Sequence, residues 1–98
     1  MRPYRDLKIA SLIERELSQL ILRNLDFEGA FVTIIGVLVS EDLSEAKVKI
    51  SILPEEKAPE VFKLLEKSRR ELQFKLLRKM NIKPMPHLKF EIDQGKPA

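Results

Sequence analysis

Residues 46–52 read Ala-Lys-Val-Lys-Ile-Ser-Ile, and this strict alternation constrains the fold more than any other feature of the chain. Successive side chains of a strand point to opposite faces, so Ala46, Val48, Ile50 and Ile52 fall on one face and Lys47, Lys49 and Ser51 on the other. A helix would scatter the same residues around its circumference. The segment therefore predicts a half-buried strand, stopped by Pro54, and such a strand needs a sheet neighbour and a covering layer. The neighbour precedes it. Phe31 to Val39 is rich in β-branched residues and too short for an independent helix, and the polar link Ser40 to Glu45 joins the two strands as a hairpin. Alternation in this first strand is poor, which predicts burial on both faces or a central position in the sheet.

Helical periodicity supplies the covering layer. From Leu7 to about Leu25, the residues Ile9, Ile13, Leu17, Leu20 and Ile21 lie on one stripe, with Asp6 expected as the N-cap and Gly29 as a turn after the helix. Beyond Pro54, Pro59 suits the first turn of a helix, and Val61, Leu65, Leu72, Leu76 and Met80 form a second stripe. At Ser68 the stripe lacks its apolar residue, and a serine hydroxyl can bond back to the preceding turn. A kinked helix, or two short ones hinged at Ser68, is expected. Pro84 and Pro86 bar further helix, and Leu88, Phe90 and Ile92 alternate in a third strand. The predicted order is α-β-β-α(kink)-α-β, a two-layer α+β domain with helices packed on one face of a three-stranded sheet. The last strand is expected beside the first, and residues 94–98 as a flexible tail of one domain spanning 1–98.

Charge is unevenly distributed. The net charge is +3, but Val61 to Lys83 holds eight basic residues against only Glu66 and Glu71, whereas Asp26 to Glu60 holds eight acidic residues against three basic ones. Positive charge concentrated in this way is the footprint of a polyanion binder, with a solvated helix face as the alternative. Lys63, Lys67 and Arg70 share one helix face by their spacing, and Lys75, Arg78 and Lys79 do likewise further along. Arg69 and Arg70 would stand at the corner of the break. Aromatic residues are few (Tyr4, Phe27, Phe31, Phe62, Phe74 and Phe90), and several read as core, which favours recognition of RNA shape and backbone over stacking on single strands.

Enzymatic readings find little support. There is no cysteine, and His87 is the only histidine, at a strand start where an exposed or capping role is ordinary. Glu41 and Asp42 sit in a hairpin link, and the three glycines are isolated, so no phosphate-cradling loop exists. No metal or cofactor is expected. No apolar run approaches the roughly 20 residues needed to span a bilayer, and the N-terminus lacks the apolar region of a signal peptide, so a cytoplasmic protein without membrane contact is expected.

Several segments together resemble the ribosome-binding factor A family. They are Arg2-x-x-Arg5 before an amphipathic helix carrying Glu16-Leu17, then Val32-Thr33-Ile34, then Val39-Ser40-Glu41-Asp42-Leu43-x-x-Ala46-Lys47-Val48, and finally Pro86-x-Leu88-x-Phe90-x-x-Asp93. The resemblance implies a type-II KH-like domain with an interrupted helix in place of the usual Gly-x-x-Gly loop, the break falling at Ser68. It also implies a non-enzymatic assembly factor that binds the small (30S) ribosomal subunit and assists late maturation and processing of its 16S rRNA, with particular importance in the cold. The expected partners are that subunit and its rRNA, with other assembly factors besides, and the expected state is a monomer. The expected RNA-binding residues are Arg2, Arg5, Lys8, Lys63, Lys67, Arg69, Arg70, Lys75, Arg78, Lys79 and Lys83. The alternative is a protein-interaction module on the same fold, of BolA-like type.

Overall fold

The computed structural model describes residues 5–93. Along them run α1 (Arg5–Asn24), β1 (Phe31–Val39), β2 (Glu45–Leu53), a single 3-10 turn (Glu55–Lys57), α2 (Ala58–Met80) and β3 (His87–Ile92). Arg2, Tyr4 and the tail expected at 94–98 lie outside the described residues.

The stripe on α1 is buried as its spacing predicts, with Ala10 added to Ile9, Ile13, Leu17, Leu20 and Ile21. Arg5 is already helical, so Asp6 stands within the helix instead of capping it. There its carboxylate accepts from the Leu7 N–H at 2.9 Å and complements the positive end of the helix. The chain leaves α1 through Glu28 and Gly29, whose φ of 93° favours a residue without a Cβ.

All four inward residues of β2, Ala46, Val48, Ile50 and Ile52, are fully buried. This strand, and not β1, is the centre of the sheet, whose order is β1-β2-β3. β1 pairs with β2 antiparallel, and β3 pairs with β2 in parallel, Ala46 opposite Leu88 and Val48 opposite Phe90. Two expectations are thereby corrected: β1 is an edge strand, and β3 does not lie beside it. The segment from β2 through α2 to β3 is a β-α-β unit, whose helical crossover returns the chain to a parallel neighbour of the strand it left.

The poor alternation of β1 has a different cause from double-sided burial. The register shifts between Ile34 and Gly36, so Ile35 is an extra residue in a β-bulge. Val32 and Ile34 face the core before the bulge, and Val37 and Val39 face it afterwards. Phe31, Ile35 and Leu38 are exposed. One inserted residue has exchanged odd for even.

Both helices cover the same face of the sheet, and Leu65, Leu72 and Leu76 of α2 complete the core against Leu17, Ile50 and Phe90. Burying a side chain of this size contributes about 1.5–3 kcal/mol. The division expected at Ser68 does not occur: α2 is one continuous helix of 23 residues, and Ser68 sits half-buried in its middle, between Leu65 and Leu72 on the core-facing row. Acidic Glu60 in its first turn and basic Arg78 and Lys79 in its last suit the helix dipole, and Asn81 closes it in the left-handed conformation (φ 55°), its N–H donating to the Leu77 carbonyl at 2.7 Å.

Candidate nucleic-acid interface

A continuous α2 distributes its basic residues onto two faces. Lys63, Lys67, Arg70, Phe74 and Arg78 recur at steps of four, three, four and four, opposite the buried row Val61, Leu65, Leu72 and Leu76. All five are exposed. None of the four cations forms an ion pair with a described residue. This ridge is about 22 Å long at 1.5 Å per residue, and it is flanked by the exposed Glu66 and Glu71, which pair with Arg69 and Lys75 and not with the ridge. Arg78 lies over the Phe74 ring, its guanidinium carbon 5.8 Å from the centroid.

The remaining basic residues of α2 are engaged elsewhere. Arg69 pairs with Glu66 at 3.5 Å, one turn back along the helix. Lys75 meets Glu71 at 3.3 Å and donates to the Asn24 side chain at 2.8 Å, and Lys79 reaches Glu16 at 3.3 Å. Lys75 and Lys79 therefore turn toward α1 and fasten the two helices together, and do not share a face with Arg78 as their spacing suggested. Lys79 draws the Glu16 carboxyl below its ordinary range by hydrogen bonding and charge, with Arg15 adding to the effect. The exposed pairs of Arg69 and Lys75 contribute little individually, but with Glu16–Lys79 they leave these cations partly neutralised before any polyanion arrives.

The other expected contacts are dispersed. Arg5 and Lys8 are exposed on the first turns of α1, Lys8 beside a shallow depression lined by Leu7, Ser11 and Leu12. Lys83 is exposed in the loop after α2. No ion pair or hydrogen bond joins Arg5, Lys8 or Lys83 to the ridge among the described residues. Of the eleven expected residues, the structure brings Lys63, Lys67, Arg70 and Arg78 together as one surface, and Arg2 is not described.

The hairpin link is a hydrogen-bonded turn and not a reactive pair of carboxylates. The Ser40 hydroxyl donates to Asp42 at 2.8 Å and accepts from the Ser44 and Glu45 N–H groups at 3.1 Å, while Asp42 also accepts from the Ser44 N–H at 3.1 Å and hydroxyl at 2.8 Å. Those donors, the Ser40 hydroxyl foremost, hold the Asp42 carboxyl below its usual range. The Ser-x-Asp-Leu-x-x-Ala motif is therefore structural: it ties the turn and delivers Ala46 to the head of the buried row. His87 begins β3 exposed, its N–H donating to the Ser44 carbonyl at 3.0 Å. Among the described residues no group of histidine, aspartate and glutamate could hold a metal ion, and no helix is long and apolar enough to cross a membrane.

Two residues escaped the sequence reading. Gln73 accepts from the Leu88 N–H at 3.0 Å, satisfying a donor of β3 from the helix above it. Phe74 is 59% exposed on the cationic ridge, between Arg70 and Arg78. Its position off the stripe of Leu72 and Leu76 was the available signal.

Known proteins align with the chain over almost its whole length. A family model described as Ribosome-binding factor A matches residues 5–96. A ribosome-binding factor A of Prochlorococcus marinus is 36% identical over 92 residues, covering 90% of this chain and 75% of that one, and one of Pseudomonas fluorescens is 34% identical over 92 residues, covering 90% and 70%. Among solved structures, a homology model of Thermus thermophilus ribosome binding factor A, fitted into a cryo-EM map of its complex with 30S, superposes with a TM-score of 0.75 at 26% identity, covering 90% of this chain and 94% of that one. A crystal structure of ribosome-binding factor A from the same organism gives a TM-score of 0.75 at 23% identity, covering 91% and 97%. The fold of these neighbours is KH-like, and the α+β, KH-like class expected from the sequence is the class observed, with one long helix between β2 and β3.

Proposed function

The chain belongs to the ribosome-binding factor A family, and on that footing we propose that it docks on the small ribosomal subunit through the outward ridge of α2 and assists late maturation of the subunit's rRNA without making or breaking a bond. The relative fitted into a 30S complex supports the choice of partner. The observation that carries the choice of surface is the file of Lys63, Lys67, Arg70 and Arg78, exposed and without acidic partners among the described residues. Guanidinium and ammonium groups arrayed along a rigid helix engage backbone phosphates and release their counterions, so association weakens as salt rises. In this reading Arg69, Lys75 and Lys79 act chiefly within the fold, Arg5, Lys8 and Lys83 extend the positive field at a distance, and the protein works in the cytoplasm as a monomer. The BolA-like alternative loses its ground to the family match. Processing of 16S rRNA and importance in the cold follow from the same family reading as parts of the proposal.

Charge reversal tests the surface. Lys67→Glu with Arg70→Glu changes two exposed positions far from the core, so the circular-dichroism spectrum should match the wild type. Co-sedimentation with purified small subunits should weaken at least tenfold, and the slope of log affinity against log salt should fall by about one for each phosphate that is no longer engaged. Wild-type co-sedimentation by the double variant would remove the ridge from the docking surface.

A further inference from the structure

Phe74 lies in the C-terminal half of that ridge, one turn after Arg70 and one turn before Arg78, with more than half of its surface exposed. A single exposed apolar side chain is ordinary on any protein. A flat ring flanked on the same face by two arginines is a more specific arrangement. Phenylalanine is not among the better helix formers, and here it gains little from burial, so neither helix formation nor the core accounts for it. The arrangement does suit a nucleotide. An aromatic ring offers a face to a base, cations one turn away offer partners to the phosphates on either side, and a guanidinium over the ring strengthens the stack.

We propose that Phe74, backed by Arg78, is a stacking platform for an unpaired ribonucleotide base, with Lys67 and Arg70 holding the adjoining phosphates. This deepens the proposed function and rests on it: the ridge faces RNA, and it selects a place where a base is free to leave its own stack, such as a bulge or a single-stranded junction. A regular A-form stem presents phosphates to the cations but no base face to the ring. Because every base has a π face, the platform tolerates sequence and discriminates by pairing state. The expectation of shape recognition without stacking is replaced by a composite of charge along the ridge and one aromatic contact in its C-terminal half.

Two labelled RNA hairpins test the proposal by fluorescence anisotropy with the full chain: one with a perfect stem, the other with the same stem carrying a single unpaired adenine. Wild type should prefer the bulged hairpin, and Phe74→Leu, which keeps apolar bulk but loses the flat ring, should lower that preference roughly tenfold. A second readout comes from Phe74→Trp. The chain has no tryptophan, so the single indole would report directly, and its emission should be quenched by the bulged hairpin far more than by the perfect stem. Equal preference in wild type and Phe74→Leu, or no preference in wild type, would overturn the platform. So would displacement of the bulged hairpin by poly-glutamate as effectively as by unlabelled RNA, which would indicate an acidic protein partner. If instead Lys67→Glu with Arg70→Glu binds both hairpins as wild type does, the ridge itself is not the RNA-facing surface. That failure is distinct from a loss of the bulge preference alone.

Discussion

At the scale of single residues, the Glu16–Lys79 contact has the clearest physical consequence. Glu16 Oε1 is shut off from water, and the Lys79 ammonium stands 3.3 Å away. Because Lys79 holds the folded-state carboxyl below the ordinary glutamate range, the contact adds stability above the unfolded-state value of about 4.3 and loses it as pH falls through the lower folded-state value. Asp42 titrates in the same sense, through the Ser40 and Ser44 groups that bond to it. Glu16→Gln should therefore lower the urea midpoint at pH 7, and the gap to wild type should narrow as pH falls below the ordinary glutamate range and the Glu16 carboxylate takes up its proton. A gap of unchanged size at pH 3 would mean that the variant loses packing and not charge.

At the scale of elements, the bulge in β1 has a consequence open to direct test. Ile35 is half exposed and outside the ladder, between the pairs Ile34–Ile50 and Gly36–Lys49. Deleting Ile35 leaves a regular register in which Val32, Ile34, Val37 and Val39 all keep their face. The deletion variant should fold, with stability within about 1 kcal/mol of wild type. Deleting Lys49 from β2 should abolish the cooperative thermal transition followed by circular dichroism, because Ile50 and Ile52, half of the central strand's inward row, would turn to solvent. The same bulge marks where the sequence could be read and where it could not. Clean alternation at 46–52 marked β2 and its facing, and helical stripes marked both helices and the core residues they contribute. The β1 pattern misled because a one-residue insertion looks like the absence of alternation. At Ser68 a small polar residue in a buried row looked like a break, yet a helix tolerates one half-buried serine. Within the helical turns after Ser68, the buried Leu72 and Leu76 set the facing of their neighbours, so that Phe74 points outward while Lys75 and Lys79 reach α1.

At the scale of the whole molecule, the parallel pairing of β3 with β2 ties the two ends of the sequence into one core. Leu88 and Phe90 come from the last described strand and belong to the same core cluster as Ile13 and Leu17 of the first helix. Phe90→Ala should cost about 3–5 kcal/mol by urea denaturation, a large share of the stability of a domain this small. A cost below about 1 kcal/mol would mean that the site collapses around the missing ring, or that β3 contributes less to the core than its burial indicates. The placement of β3 also affects how the chain is made. While the polypeptide is still emerging from the exit tunnel, β2 has a partner on one side only, and the strand that completes the other side is translated after every other described element. A product arrested after α2 would retain an open edge at the middle of its sheet, exposed to proteases and to association with other nascent chains. Assembly of this domain therefore waits until residues 87–92 have cleared the ribosome that makes them.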